Sequence, residues 1–297
     1  MKRIISNLIF LLAVATIVSA KVKVVTTLPD LASLVSAVGR DRVEVTSIAK
    51  GYQDPHFVDP KPSFILKLQS ADLLFKVGLG LEAWLDPLVI GARNSKLKVV
   101  DCSRGVLLLE IPTAVDRSMG DIHPFGNPHT WLDPTNGKIM LDSIASALGK
   151  TDPANASFYE TNRAAYAKKL DSAMAVWETK LKPFSGTEVI TYHNSWAYFA
   201  ERFGLVRAGY LEPKPGIPPS PSHLNELIDQ MKRENIKIII MEPYFSDKEP
   251  NLVARETGAK VLALAPSVGA LKGADDYIAM FDYDVNLLAK VLKEVTP

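Results

Sequence analysis

The chain has 297 residues, 47% of them hydrophobic, with 34 basic side chains against 33 acidic ones. Setting aside Lys2 and Arg3 of the N-terminal leader leaves 32 basic against 33 acidic groups, a net charge of −1, which excludes a strongly basic nucleic-acid-binding surface. The apolar content suffices for two cores, and the single cysteine, Cys102, excludes an internal disulfide.

Residues 1–20 read as a secretory signal peptide. Lys2 and Arg3 form a basic start, Leu8 to Val18 is mostly apolar, and Val18-Ser19-Ala20 is a small-residue cleavage site. No second apolar run long enough to span a bilayer follows, and no cysteine near the cut could carry a lipid. Val22–Thr27 is rich in β-branched residues and reads as a strand, followed by a helix from Pro29 to Gly39 and a strand over Val43–Ala49. A helix over Pro62–Ala71, a strand over Asp72–Val77, a helix over Leu81–Gly91 and a strand over Lys96–Asp101 come next, with Cys102 a small buried residue at the end of the run. A polar loop spans Glu110–Asn127, after which Asp133 caps a helix that Pro134 starts and Leu148 ends. Four strands alternating with helices imply a parallel α/β lobe over residues 21–150.

Residues 151–184 read as one long helix. Asp152 and Pro153 supply the cap and first turn, Pro183 closes it, and Tyr159, Tyr166, Leu170, Ala173, Trp177 and Leu181 share a face. About thirty residues span roughly 45 Å, so the helix is expected to be a strut between two compact units. Residues 185–297 repeat the βα rhythm: strands over Glu188–Tyr192, Leu205–Tyr210, Ile236–Met241 and Lys260–Leu264, and helices over Ser195–Phe203, Leu224–Arg233, Leu252–Thr257 and Asp275–Leu292. A Pro-rich loop, Glu212–Pro221, interrupts them. The expected fold is α/β, with two Rossmann-like parallel-sheet lobes joined by one long backbone helix.

Ligands of open parallel sheets bind beyond the carboxyl ends of the strands. His56 lies in a loop after the second strand, His129 between the fourth strand and the next helix, and His193 at the end of the first strand of the second lobe. All three therefore fall on the rim where the lobes face each other, and three neutral imidazoles suit Zn²⁺. Pro55 and Pro128 precede two of them and stiffen the loops. His223, after Pro221-Ser222, reads as a surface or capping residue, Asp133 as a cap, and Trp131 and Trp196 as packing beneath the cleft.

The stretches DPHFVDPKPS, NPHTWLDP and YHNSWAYFAERFGL, with the long central helix, resemble the zinc- and manganese-binding periplasmic proteins of ABC importers, the solute-binding proteins of the ZnuA/TroA type. The resemblance covers essentially the whole chain after the leader. It implies a periplasmic monomer that binds one divalent ion between two lobes and delivers it to an ABC permease in the inner membrane, without enzymatic activity. His56, His129 and His193 fall at ligand positions, and His at the third favours zinc over manganese. In the family an Asp after the last strand supplies a fourth ligand, whereas this chain has Ala265. The fourth position then falls to water, to His123 or to Glu242. Two other functions fit three histidines with an open position: a zinc hydrolase with Glu242 as its base, and a binding protein for a metal chelate.

Overall fold

The computed structural model describes residues 20–114, 123–214 and 216–295; the leader over residues 1–20 lies, apart from Ala20, outside the described residues. No helix among them is long and apolar enough to cross a membrane. The first lobe holds β1 (Val22–Thr26), α1 (Pro29–Gly39), β2 (Val43–Ser47), α2 (Pro62–Gln69), β3 (Leu73–Lys76), α3 (Leu85–Ala92) and β4 (Lys98–Asp101). After α4 (Pro134–Thr151) and α5 (Ala156–Leu181) come β5 (Glu188–Thr191), α6 (Ala197–Phe203), β6 (Val206–Tyr210), α7 (Pro221–Glu234), β7 (Ile238–Met241), α8 (Lys248–Thr257), β8 (Lys260–Ala263) and α9 (Tyr277–Val295). Both sheets are wholly parallel and share one order, β2-β1-β3-β4 and β6-β5-β7-β8. The chain is thus two α/β lobes of the same winding, and the strand ends of both lobes contribute to one shared cleft.

Several elements start later or earlier than periodicity suggests, each for a local reason. Gly78, Leu79 and Gly80 all have positive φ, so the chain turns through a left-handed stretch and α3 begins at Leu85, not at Leu81. The buried Glu82 carboxylate fastens that turn by accepting from Val77 N, Gly78 N and Thr27 Oγ1. Ser220 caps α7 by accepting from His223 N at 3.2 Å, which lets Pro221 serve as the first helical residue three positions before Leu224. Asp133 caps α4 as expected from its place before Pro134, accepting from Thr135 N, and also holds Arg202 of the second lobe in a two-point ion pair.

The long helix is flanked by short 3-10 turns, Pro153–Asn155 and Lys182–Phe184, so its α-helical part is 26 residues. Asp152 binds Asn155 Nδ2 and Tyr159 Oη in place of a helix N–H. The helix is not a free-standing strut. Tyr159, Leu170, Trp177 and Leu181 are buried within a core that α1, α4 and α9 also build. Asn162 Nδ2 donates to the Val38 carbonyl in α1, and Trp177 stacks on Phe281 of α9 while its Nε1 donates to Asp282. One apolar core therefore runs from the first sheet, past α5 and α9, to one face of the second sheet. A separate cluster including Ile190, Leu227, Met231 and Val253 covers the other face.

Candidate metal centre

Three loops that follow strands of the two sheets bring imidazoles together. In the loop after β2, the Asp54 carboxylate accepts from His56 N at 2.9 Å and from His56 Nδ1 at 2.8 Å. This turn leaves Nε2 pointing away from the carboxylate as the lone-pair nitrogen, against His123. Trp84 Nε1 donates to the Pro55 carbonyl and holds the turn from behind. His193 lies two residues past the end of β5, and its Nδ1 donates to Glu212 Oε2 at 2.6 Å, which leaves Nε2 as the lone-pair nitrogen. His129 precedes the 3-10 turn Thr130–Leu132, with its backbone N–H bound to Asn127 Oδ1. The ligand atoms of His56, His129 and His193 all lie within 4.8 Å of one another.

Burial decides what this cluster can do. His129 is 2% exposed, and neither ring nitrogen has a hydrogen-bond partner among the described residues. A buried polar group without a partner costs roughly 1–3 kcal/mol, so the site is built to hold something that accepts a nitrogen lone pair. Burial first, and then the neighbouring His56, His193 and His123, push His129 well below the ordinary histidine value. His129 is therefore neutral at physiological pH, the form that binds metal. Asp54, opposed by burial but stabilised by His56, stays below the usual carboxylate range and remains ionised. Two carboxylates behind two imidazoles fix the tautomers and raise the donor strength of the opposite nitrogens.

His123, in the first lobe, lies beside this cluster without belonging to it. Its Nε2 is 3.1 Å from His56 Nε2, and it lines a cavity of about 220 Å³ with His129 and His193. Burial, then His56 and His193, lower it to about 3, so it too is neutral. Because His56 Nδ1 carries its proton toward Asp54, His123 Nε2–H is the donor in this pair and would shift its proton to Nδ1 on meeting an ion. Glu242 does not belong to the three-histidine cluster. It is fully buried, and burial, opposed in part by Ser195, lifts it to about 8.

Ala265 is fully buried, and its N–H donates to Asp284 Oδ1 of α9. Its loop is committed to joining the lobes: Trp131 Nε1 donates to the Pro266 carbonyl, while Ser267 Oγ and Val268 N donate to Asp30 of α1. Trp131 and Trp196 are buried at 1% exposure, Trp131 against His129. His223 Nε2 donates to the Tyr210 carbonyl, and Cys102 is buried with its thiol pushed far up by burial. Sequence reasoning missed Asp54 and Glu212 as partners of the imidazoles. Asp54 could have been found two residues before His56, and Glu212 by extending the strand-end rule to β6.

The chain and its fold are matched by known proteins. A family profile described as "Zinc-uptake complex component A periplasmic" matches residues 24–291. The chain belongs to this family. The iron-binding protein YfeA of Yersinia pestis is 30% identical, over 91% of this chain and 86% of its own length. The manganese ABC transporter substrate-binding lipoprotein PsaA of Streptococcus pneumoniae is 27% identical, over 92% and 89%. A crystal structure of ZnuA superposes with a TM-score of 0.80 at 30% identity, over 91% of this chain and 98% of that one. Membership makes the protein a metal-binding component of an ABC importer, while the relatives' names divide among zinc, iron and manganese.

Proposed function

We propose that the protein captures zinc in the periplasm and delivers it to an ABC permease, with His56, His129, His193 and His123 as the donors. The observation that carries this reading is the buried His129, with both nitrogens unpartnered, facing two imidazoles whose Nδ1 atoms are bound to carboxylates so that Nε2 is the lone-pair nitrogen. An all-imidazole set suits Zn²⁺ in tetrahedral geometry, whereas Mn²⁺ favours carboxylate oxygens. Ala265 brings no such oxygen, and Asp54 and Glu212 balance the charge of the ion from behind the imidazoles. The leader over residues 1–20 would export the chain and be cut after Ala20, leaving a soluble monomer. Its first lobe would span residues 21–150, the backbone helix 151–184 and the second lobe 185–297.

Glu242, the base that a hydrolase would need, is held protonated near neutral pH and stands apart from the three-histidine cluster, so it supports import over catalysis. The test is competitive titration of chelator-treated protein with zinc, manganese and ferrous ions, together with metal analysis of protein purified without chelator. One tightly bound zinc per chain, lost in His129→Ala, is expected. Micromolar or weaker zinc affinity, or tighter manganese binding, would overturn the assignment.

A further inference from the structure

Glu110 lies between β4 and α4 in the first lobe, with φ 55, a left-handed backbone that residues other than glycine rarely adopt. Its carboxylate gathers donors from both lobes. Oε2 accepts from Asn127 Nδ2 at 2.9 Å and from Asn194 Nδ2 at 2.7 Å, and Oε1 accepts from Arg207 Nη2 of β6 at 2.6 Å. Although partial burial opposes it, the Asn127 amide and the Arg207 guanidinium hold Glu110 below the usual carboxylate range.

Each amide in this group sits next to a proposed ligand. Asn127 Oδ1 accepts from His129 N, and its second Nδ2 hydrogen reaches the Asn194 carbonyl at 2.8 Å. Three of the four hydrogen-bonding capacities of the Asn127 amide are used, so it cannot flip without breaking contact with His129. Asn194 follows His193 directly, and its Oδ1 accepts from Arg207 Nη1. Tyr198 of α6 closes the group by donating to the Asn127 carbonyl and accepting from Leu109 N. The chain beside His129 in one lobe is thus bound to the chain beside His193 in the other, through the Glu110 carboxylate and directly through Asn127 and Tyr198.

We propose that Glu110 is a positioning residue for the captured ion: paired with Arg207, it forms an interlobe clasp that keeps His129 and His193 assembled, and opening this clasp limits release. The proposal rests on the assignment of those histidines as ligands. Its physical basis is that His129 and His193 come from different lobes, so an ion leaving by lobe separation must break these bonds. They are short and charge-assisted, the strongest class of hydrogen bond in proteins. A contact broken on the way out acts on the dissociation rate more than on the association rate.

The test is stopped-flow transfer of zinc from the loaded full chain to excess chelator, with association measured separately, for the wild type, Glu110→Ala, Glu110→Gln and Arg207→Ala. Glu110→Ala is expected to speed release roughly ten-fold while association changes by less than about three-fold. In the wild type, release should accelerate with salt, which screens the Glu110–Arg207 pair, and this dependence should disappear in Glu110→Gln and Arg207→Ala. Glu110→Gln keeps the size and one acceptor, so it decides the question by its salt dependence even if Glu110→Ala fails to fold. Release from Glu110→Ala within about two-fold of wild type, or an unchanged salt dependence in Glu110→Gln, would overturn the clasp. If the wild type binds zinc weakly, or His129→Ala binds it as well as wild type does, the ligand assignment fails instead, and the clasp with it.

Discussion

The bond between His193 Nδ1 and Glu212 Oε2 offers the sharpest test of the site. It is 2.6 Å long, and both side chains are 8% exposed. An ion on Nε2 withdraws electron density from the ring and makes Nδ1–H a better donor, so this bond strengthens on loading and contributes to affinity rather than cancelling. Glu212→Gln retains an acceptor but removes the charge. Hydrogen bonds to charged groups contribute about 1.5–3 kcal/mol against about 0.5–1.5 for neutral ones. The difference of about 1 kcal/mol corresponds to roughly five-fold in affinity. Glu212→Ala loses the acceptor as well and leaves a buried N–H unpaired, which places the loss at roughly ten- to hundred-fold. Competition against a zinc-binding dye at pH 7.5 should therefore rank wild type above Glu212→Gln and Glu212→Ala last. Affinity of Glu212→Ala within about two-fold of wild type, or Glu212→Gln the weaker of the pair, would refute the reasoning.

Three further outcomes follow from the same geometry. His123→Ala should weaken zinc binding at least about ten-fold and reduce the nitrogen neighbours of the ion from four to three in X-ray absorption; an unchanged spectrum would remove His123 from the ligand set. Burial raises Asp30 from 3.8 to about 6, so the folded state holds its proton more tightly than the unfolded chain and this group's stabilisation, full below 3.8, fades as pH rises through 6. That difference amounts to about 3 kcal/mol, and Asp30→Asn, which mimics the protonated acid toward Ser267 and Val268, should abolish this decline in urea unfolding between pH 4 and 7.5; a variant less stable than wild type at pH 7.5 would contradict it. Ala164→Gly with Ala165→Gly, both on the exposed face of α5, should lower stability by about 2 kcal/mol yet leave zinc affinity within about two-fold, because α9 and the loop after β8 also tie the lobes; a ten-fold loss of affinity would make α5 the sole spacer.

The parts of this molecule legible in its sequence are those where local chemistry dictates structure. β-branched runs became the strands of both sheets, and Asp133 before Pro134 became a cap because its carboxylate can reach a first-turn N–H. The three rim histidines could be found because a parallel sheet sends every strand end to one side. What stayed hidden depended on distant partners. Glu212 looks like the start of a stiff loop until β6 is placed beside β5, when its carboxylate meets His193. Glu110 marks only the edge of a polar loop until the second lobe supplies Asn194 and Arg207. The packing of α5 was concealed for a similar reason: α9, from the far end of the chain, covers the face that Trp177 presents.

Ala265 is best understood through the same interlobe contacts. Its side chain is fully buried, its N–H is bound to Asp284, and the following residues bind Trp131 and Asp30. Asp284 is itself fully buried, and burial raises it well above the usual carboxylate value. A carboxylate at residue 265 in this arrangement would be desolvated beside a second buried carboxyl, which disfavours its charged form. Reaching the ion would also require the loop to give up hydrogen bonds that join the lobes. In the proposed site the fourth donor would come instead from the first lobe, where His123 already touches His56 and is already neutral. The loop after β8 thereby serves to hold the lobes together, and the proposed ligands all lie outside it.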